Sequence, residues 1–86
     1  MKFQKIGGRG GHIKFEHKGR AGVLDWEMLL GESAMVIYST GCNWVTSPGE
    51  LMVMPEILEV VQIICNETKF QIEIQFENRI EVLKPK

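Results

Sequence analysis

The feature that most constrains the fold is a single helical stretch in the second half of the chain. Within Met54–Asn66, four apolar side chains fall at i, i+3, i+4 and i+7 and so share one stripe of an α-helix: Ile57, Val60, Val61 and Ile64. Pro55 suits the first turn, and Asn66 suits a left-handed cap at the end. Burying each stripe residue contributes roughly 1.5–3 kcal/mol. The helix is therefore expected to belong to the core.

Length and composition limit the architecture to one small domain. The chain has 86 residues, of which 44% are hydrophobic and 24% charged, which is typical of a globular protein and excludes disorder. No apolar run is long enough to span a membrane, and the Met1-Lys2 start lacks the apolar segment of a signal peptide. We therefore expect a cytoplasmic protein with Cys42 and Cys65 as reduced thiols.

Alternating apolar residues predict strands on both sides of the helix. The segments are His12–His17, Val23–Leu30 and the apolar run Ala34–Thr40 before the helix, and Phe70–Phe76 with Ile80–Val82 after it. If His17 pairs with Arg20 across a two-residue turn, Ile13 lies beside Leu24 on the core side. A three-residue loop at 77–79 would place Ile80 and Val82 on the face of Phe76 and Ile74.

These elements predict an α+β fold. We expect a mainly antiparallel sheet of about five strands in the order β-β-β-α-β-β, with one helix packed on one face. Residues 12–86 form this single α+β domain. Residues 1–11 are expected to be a loose Gly-rich lead-in, because ordering the four glycines of Gly7–Gly11 costs much backbone entropy.

Charge is unevenly distributed along the chain. Residues 1–20 carry six Lys or Arg side chains and one acid, whereas residues 21–68 carry seven acids and no Lys or Arg. The acids of this middle segment are Asp25, Glu27, Glu32, Glu50, Glu56, Glu59 and Glu67. Such a layout can produce one acidic face and one basic edge, which bears on the choice of partner.

The residues that could carry catalysis or bind a metal are scattered. His12 and Glu16 share a strand face but lie about four residues apart, too far for one ion, and His17 points the other way. No serine, cysteine or threonine is placed by the sequence beside a base and an orienting group. We therefore expect no enzyme, no metal and no cofactor.

Trp44 stands in a polar loop, Gly41–Gly49, that contains the turn formers Asn43, Ser47, Pro48 and Gly49. A large aromatic residue in such a loop either covers a small core or anchors a partner. The core position is the stronger expectation, since tryptophan is usually mostly buried. Trp26, which alternates with Leu24 and Met28, is expected in the core.

Several of these features occur together in one known family. The segment LDWEMLLGESAMVIYSTGCNW, the proline after it, the short helix and FQIEIQF resemble a family of small immunity proteins from bacterial contact-dependent and polymorphic toxin systems. The resemblance rests on Glu32, Ile37, Tyr38, Trp44, Pro48, Ile57, Ile64, Ile72 and Ile74. It implies a non-enzymatic protein that binds a cognate toxin and blocks its active site. Many such toxins are nucleases or carry basic surfaces.

The resulting hypothesis is a toxin-neutralising protein with an acidic contact surface. The candidate partner-binding residues are Asp25, Glu27, Glu32 and Glu50 as acidic contacts and Trp44 as an anchor. One alternative is a small nucleic-acid-binding module that uses the basic residues Lys2, Lys5, Arg9, Lys14 and Arg20. A second alternative is a structural or oligomerising domain, and a homodimer stays open.

Overall fold

The computed structural model describes residues 1–45 and 50–86, and these form one helix and a seven-stranded sheet. The elements are β1 (Lys2–Ile6), β2 (Gly10–His17), β3 (Arg20–Met28), β4 (Met35–Trp44), β5 (Glu50–Leu51), α1 (Met54–Thr68), β6 (Ile72–Gln75) and β7 (Ile80–Leu83). The α+β class and the mainly antiparallel sheet are confirmed, with more strands than the sequence predicted. No helix in these described ranges is long and apolar enough to cross a membrane.

The strands lie in the order β1-β2-β3-β4-β6-β7, and β5 adds to β4. All neighbours are antiparallel except β4 and β6, which are parallel. Parallel neighbours need a crossover connection, and α1 supplies it. The helix covers one face of the sheet, which we call the helix side. Among the described residues, no helix or strand covers the other side, which we call the open face.

The hairpin of β2 and β3 has the predicted register. His17 pairs with Arg20 and Ile13 with Leu24. The turn between them has positive φ at both central positions, 52° at Lys18 and 77° at Gly19. This backbone matches the twist of the strands that flank a two-residue turn.

The segment that we predicted to be a loose lead-in is instead ordered as a strand and a turn. β1 pairs with β2 from Lys2 opposite Glu16 to Ile6 opposite His12. Gly7 and Gly11 have φ of 105° and 152°. A Cβ on Gly7 would collide with the carbonyl oxygen of Gly10, and a Cβ on Gly11 would collide with that of Ile6. The glycines thus make the hairpin possible instead of weakening it.

The predicted orientation of the last strand is wrong. Gln75 pairs with Ile80, and the Phe76 N–H donates to the carbonyl of Arg79 at 2.8 Å, so two residues form the turn instead of three. A change of one residue in a turn inverts the face of every following side chain. Ile80 and Val82 therefore lie on the open face and are exposed. Leu30, the last residue of the predicted strand Val23–Leu30, is 95% exposed beyond the end of β3.

The helix has the predicted buried stripe but ends later than expected. Ile57, Val60, Val61 and Ile64 are at most 1% exposed and pack against the apolar residues of the helix side of the sheet. The left-handed cap is Lys69, with φ of 64°, instead of Asn66. At the other end, the Glu56 carboxylate accepts the Val53 N–H at 2.9 Å, which replaces the missing hydroxyl cap.

Both cysteines are free and buried. Burial raises the pKa of the Cys42 thiol to about 11, and burial also raises the pKa of Cys65. At pH 8, native Cys42 should hold on the order of 10²-fold less thiolate than an ordinary cysteine. We expect iodoacetamide to label both thiols only as the chain unfolds in urea, as followed by intact mass. Rapid double labelling without urea would contradict the buried positions.

Candidate functional site

The five candidate partner-binding residues do not form one surface. Asp25 and Glu27 lie on the open face of β3, and Glu32 lies in the β3–β4 loop at the end of that face. Trp44 and Glu50 pair with each other across β4 and β5 and lie on the helix side. The structure thus separates an open-face group from a helix-side group. Ser47, Pro48 and Gly49 of the predicted loop lie outside the described residues.

Trp44 occupies the core position of the two that its sequence context allowed. Only 4% of its surface is exposed. Its ring packs edge-on against Phe15 with centroids 5.6 Å apart, and the Arg20 guanidinium carbon lies 3.9 Å from its centroid. Its Nε1–H donates to a Glu56 carboxylate oxygen at 3.2 Å. The indole therefore fastens the start of α1 to the β2–β3 hairpin.

Acidic side chains on the helix side are paired within the chain. Arg20 lies 3.3 Å from Glu50 and 3.5 Å from Glu56, and Glu59 contacts His17 at 2.9 Å and Lys18 at 3.4 Å. The hydrogen bond from the Val53 N–H, followed by that from Trp44, lowers the pKa of Glu56. Hydrogen bonds with His17 and then Lys18 lower the pKa of Glu59. These carboxylates hold the helix in place and are already engaged.

The open face brings a different set of acids together. Asp25 lies opposite Tyr38, and Val36 lies between Glu27 on β3 and Glu73 on β6. Adjacent strands are about 4.8 Å apart, so Glu27 and Glu73 begin from backbones about 10 Å apart. Asp25 and Glu27 on β3 and Glu73 on β6 thus lie on one surface, at either side of β4.

Tyr38 stands at the centre of this face. Its hydroxyl donates to Glu27 at 3.1 Å, and this hydrogen bond is the main cause that raises the pKa of Tyr38 above its ordinary value. A partly buried tyrosine with a fixed hydroxyl is a side chain often found at the centre of protein interfaces.

The open-face acids differ from the helix-side acids in one decisive way. Within residues 1–45 and 50–86, none of Asp25, Glu27, Glu32 and Glu73 has a basic nitrogen within 4.0 Å of its carboxylate. Exposed apolar side chains lie beside them: Leu30, Ile80 at 58% exposure and Val82 at 47%. The face therefore combines carboxylates that form no ion pair among the described residues with exposed apolar side chains.

Three members of this surface were not among the sequence candidates. They are Glu73, Tyr38 and Val82, the last of which was expected on the face of Phe76 and Ile74. The alternation of Phe70–Phe76 signals that Glu73 points away from the core. Nothing in the sequence signals that Glu73 lies level with Val36, because this depends on the parallel register across α1.

The basic residues of the nucleic-acid alternative are divided among different parts of the molecule. Lys14 lies on the open face, whereas the Lys5 ammonium lies over Trp26 on the helix side, 4.7 Å from the ring centroid. Arg20 is taken up by Glu50 and Glu56. These side chains do not form one continuous cationic surface of the kind that phosphate backbones bind.

The histidines are separated as the strand pattern predicted. His12 is exposed on the open face opposite Asp25, and His17 lies on the helix side against Glu59. Among the residues that the structure describes, no three His, Cys, Asp or Glu side chains are grouped so that they could hold a metal ion.

Comparison with known proteins gives no relative: no protein-family model, no curated protein and no solved structure matches the chain. The function must therefore be inferred from the chain's own surface and from the resemblance found in its sequence.

Proposed function

We propose that the protein is an immunity protein that binds a cognate bacterial toxin in the cytoplasm and occludes its active site. The observation that carries the proposal is the group of open-face acids without ion pairs, Asp25, Glu27, Glu32 and Glu73. The immunity-protein resemblance implies this class of partner. The charge of the surface supports a toxin with a basic contact region.

The arrangement suits electrostatic capture of a basic protein. Surface carboxylates that are not held in ion pairs raise the rate of association with an oppositely charged partner, and the effect weakens as salt screens it. The helix-side acids contribute less, because Glu50 and Glu56 share Arg20 and Glu59 contacts Lys18 within the chain. The partner is therefore expected to approach the open face of the sheet.

The contact is proposed to block the toxin by steric occlusion of its active site and not by a chemical reaction. A stable protein interface covers about 800 Å² on each partner, enough to cover the mouth of an active site. Tyr38 and Val36, which are neighbours on the open face of β4, form the centre, and Asp25, Glu27 and Glu73 lie on the strands at either side. No residue of the inhibitor needs to react with the toxin.

The test uses the toxin domain encoded directly beside this gene, co-expressed and then titrated by calorimetry at low and high salt. Glu27→Lys/Glu73→Lys is expected to weaken binding at low salt by about tenfold or more and to abolish growth protection. The matched control is Glu67→Lys/Glu77→Lys, which changes the same charge at two exposed acids outside the open-face group, one in α1 and one in the β6–β7 turn. The control should stay within about twofold of the wild type.

Two results would contradict the proposal. One is equal loss of binding in the two double variants, since the effect would then come from net charge alone. The other is the absence of any neighbouring toxin gene. Loss of the salt dependence in the Glu27→Lys/Glu73→Lys variant, with an unchanged far-UV spectrum, would support it.

A further inference from the structure

One groove opens at the end of the open face, between the β3–β4 loop (residues 29–34) and the β6–β7 hairpin. Its volume is about 560 Å³. Its walls include Leu30, Glu32, Gln71, Glu73, Val82 and Lys84. We call it the 30–82 groove. The groove is larger than one side chain, so it can also admit the backbone that flanks an inserted side chain.

The wall on the loop side is held in place by Gln71, the residue before β6. The Gln71 side-chain amide donates to the Ser33 hydroxyl at 2.8 Å, and the Ala34 N–H donates to the Gln71 carbonyl at 2.9 Å. Ser33 is only 4% exposed. A groove whose walls are already fixed loses little conformational freedom when it is filled.

The groove is lined by both exposed aliphatic side chains and acidic side chains. Leu30 is 95% exposed and Val82 is 47% exposed, although both are aliphatic. Glu32 and Glu73 add two negative charges, against the single positive charge of Lys84. Lys84 has no carboxylate within 4.0 Å among the residues that the structure describes. The groove thus keeps a net negative charge beside exposed hydrocarbon.

We infer that the 30–82 groove receives one arginine or lysine side chain of the partner protein. Such a side chain has an aliphatic stem, which would pack on Leu30 and Val82, and a cationic head, which would bind Glu32 and Glu73. An uncharged apolar side chain would leave the two carboxylates unpaired. The inference rests on the proposed function for the identity of the partner, but the chemistry of the groove can be tested without it.

The first test is an NMR titration of the full chain with N-acetyl-arginine amide at millimolar concentration. Amide shifts are expected at Leu30, Glu32, Glu73 and Val82, and they should disappear in Glu32→Gln/Glu73→Gln. The neutral isostere N-acetyl-citrulline amide is the matched probe and should cause no shifts there. Absent shifts, shifts spread over unrelated acids such as Glu67, or equal shifts with citrulline would each overturn the inference.

The second test separates the groove from the toxin-binding proposal. In titrations with the neighbouring toxin, Glu32→Gln/Glu73→Gln and Leu30→Ser should each weaken binding by about tenfold. Unchanged toxin affinity in both variants would remove the groove, with Glu32 and Glu73, from the interface, and the proposed function would then rest on Asp25, Glu27 and Tyr38. Arginine binding in the groove without any toxin binding would remove the proposed function and leave the groove.

Discussion

Replacing Trp44 with alanine is expected to lower the free energy of unfolding by about 3–5 kcal/mol. The variant loses the packing against Phe15 and Arg20 and the hydrogen bond to Glu56. A domain of this size is stable by only about 5–15 kcal/mol, so much of the variant could be unfolded at 37 °C. Urea denaturation followed by far-UV circular dichroism measures the change.

Trp44→Phe is the matched variant, because it keeps an aromatic ring and removes the indole N–H. We expect it to lose about 1–2 kcal/mol and to remain folded. Since Trp44 lies on the helix side, the folded Trp44→Phe protein should bind the partner as tightly as the wild type. A Trp44→Ala loss below about 1 kcal/mol would show that the indole does not support the core.

Ile64→Ala is expected to cost about 2–5 kcal/mol, because it opens a cavity between α1 and the sheet. Ile64 is 1% exposed and belongs to the main apolar cluster. The neighbouring Ile63 is only partly buried on the same helix, so Ile63→Ala should cost about 1 kcal/mol or less.

The two isoleucine variants gain the same helix propensity, so the difference between their stabilities reports burial alone. Chemical denaturation with a shared m-value gives that difference. Equal losses in the two variants would mean that α1 packs on the sheet through another face. The result also tests the stripe from which the fold was first predicted.

Local patterns predicted the parts of the fold that local physics determines. The stripe of α1 follows from a period of 3.6 residues, and the Lys18-Gly19 turn sets the register of β2 and β3. The strand at Lys2–Ile6 was not predicted, because the glycines were considered only for the backbone entropy that ordering them costs and not for the positive φ angles that they can adopt. Gly7 and Gly11 use those angles to close the hairpin.

The candidate site was only partly predictable, because it depends on contacts between distant segments. Alternation in β3 places Asp25 and Glu27 on one side, and this much needs no tertiary information. Glu73 joins them only through the parallel β4–β6 pair, whose register the sequence does not encode locally. The face of the sheet on which Ile80 and Val82 lie depends on whether the β6–β7 turn has two residues or three.

The separation of the two acidic groups has a consequence for how the protein can change over time. Helix-side carboxylates are tied to the start of α1 and to the hairpin, so their replacement disturbs the fold. On the open face, Tyr38–Glu27 is the one side-chain hydrogen bond that the described residues show for Asp25, Glu27, Glu32 and Glu73. The open-face acids can therefore be replaced while the scaffold is kept, which under the proposed function would let related chains acquire new partners without first losing stability.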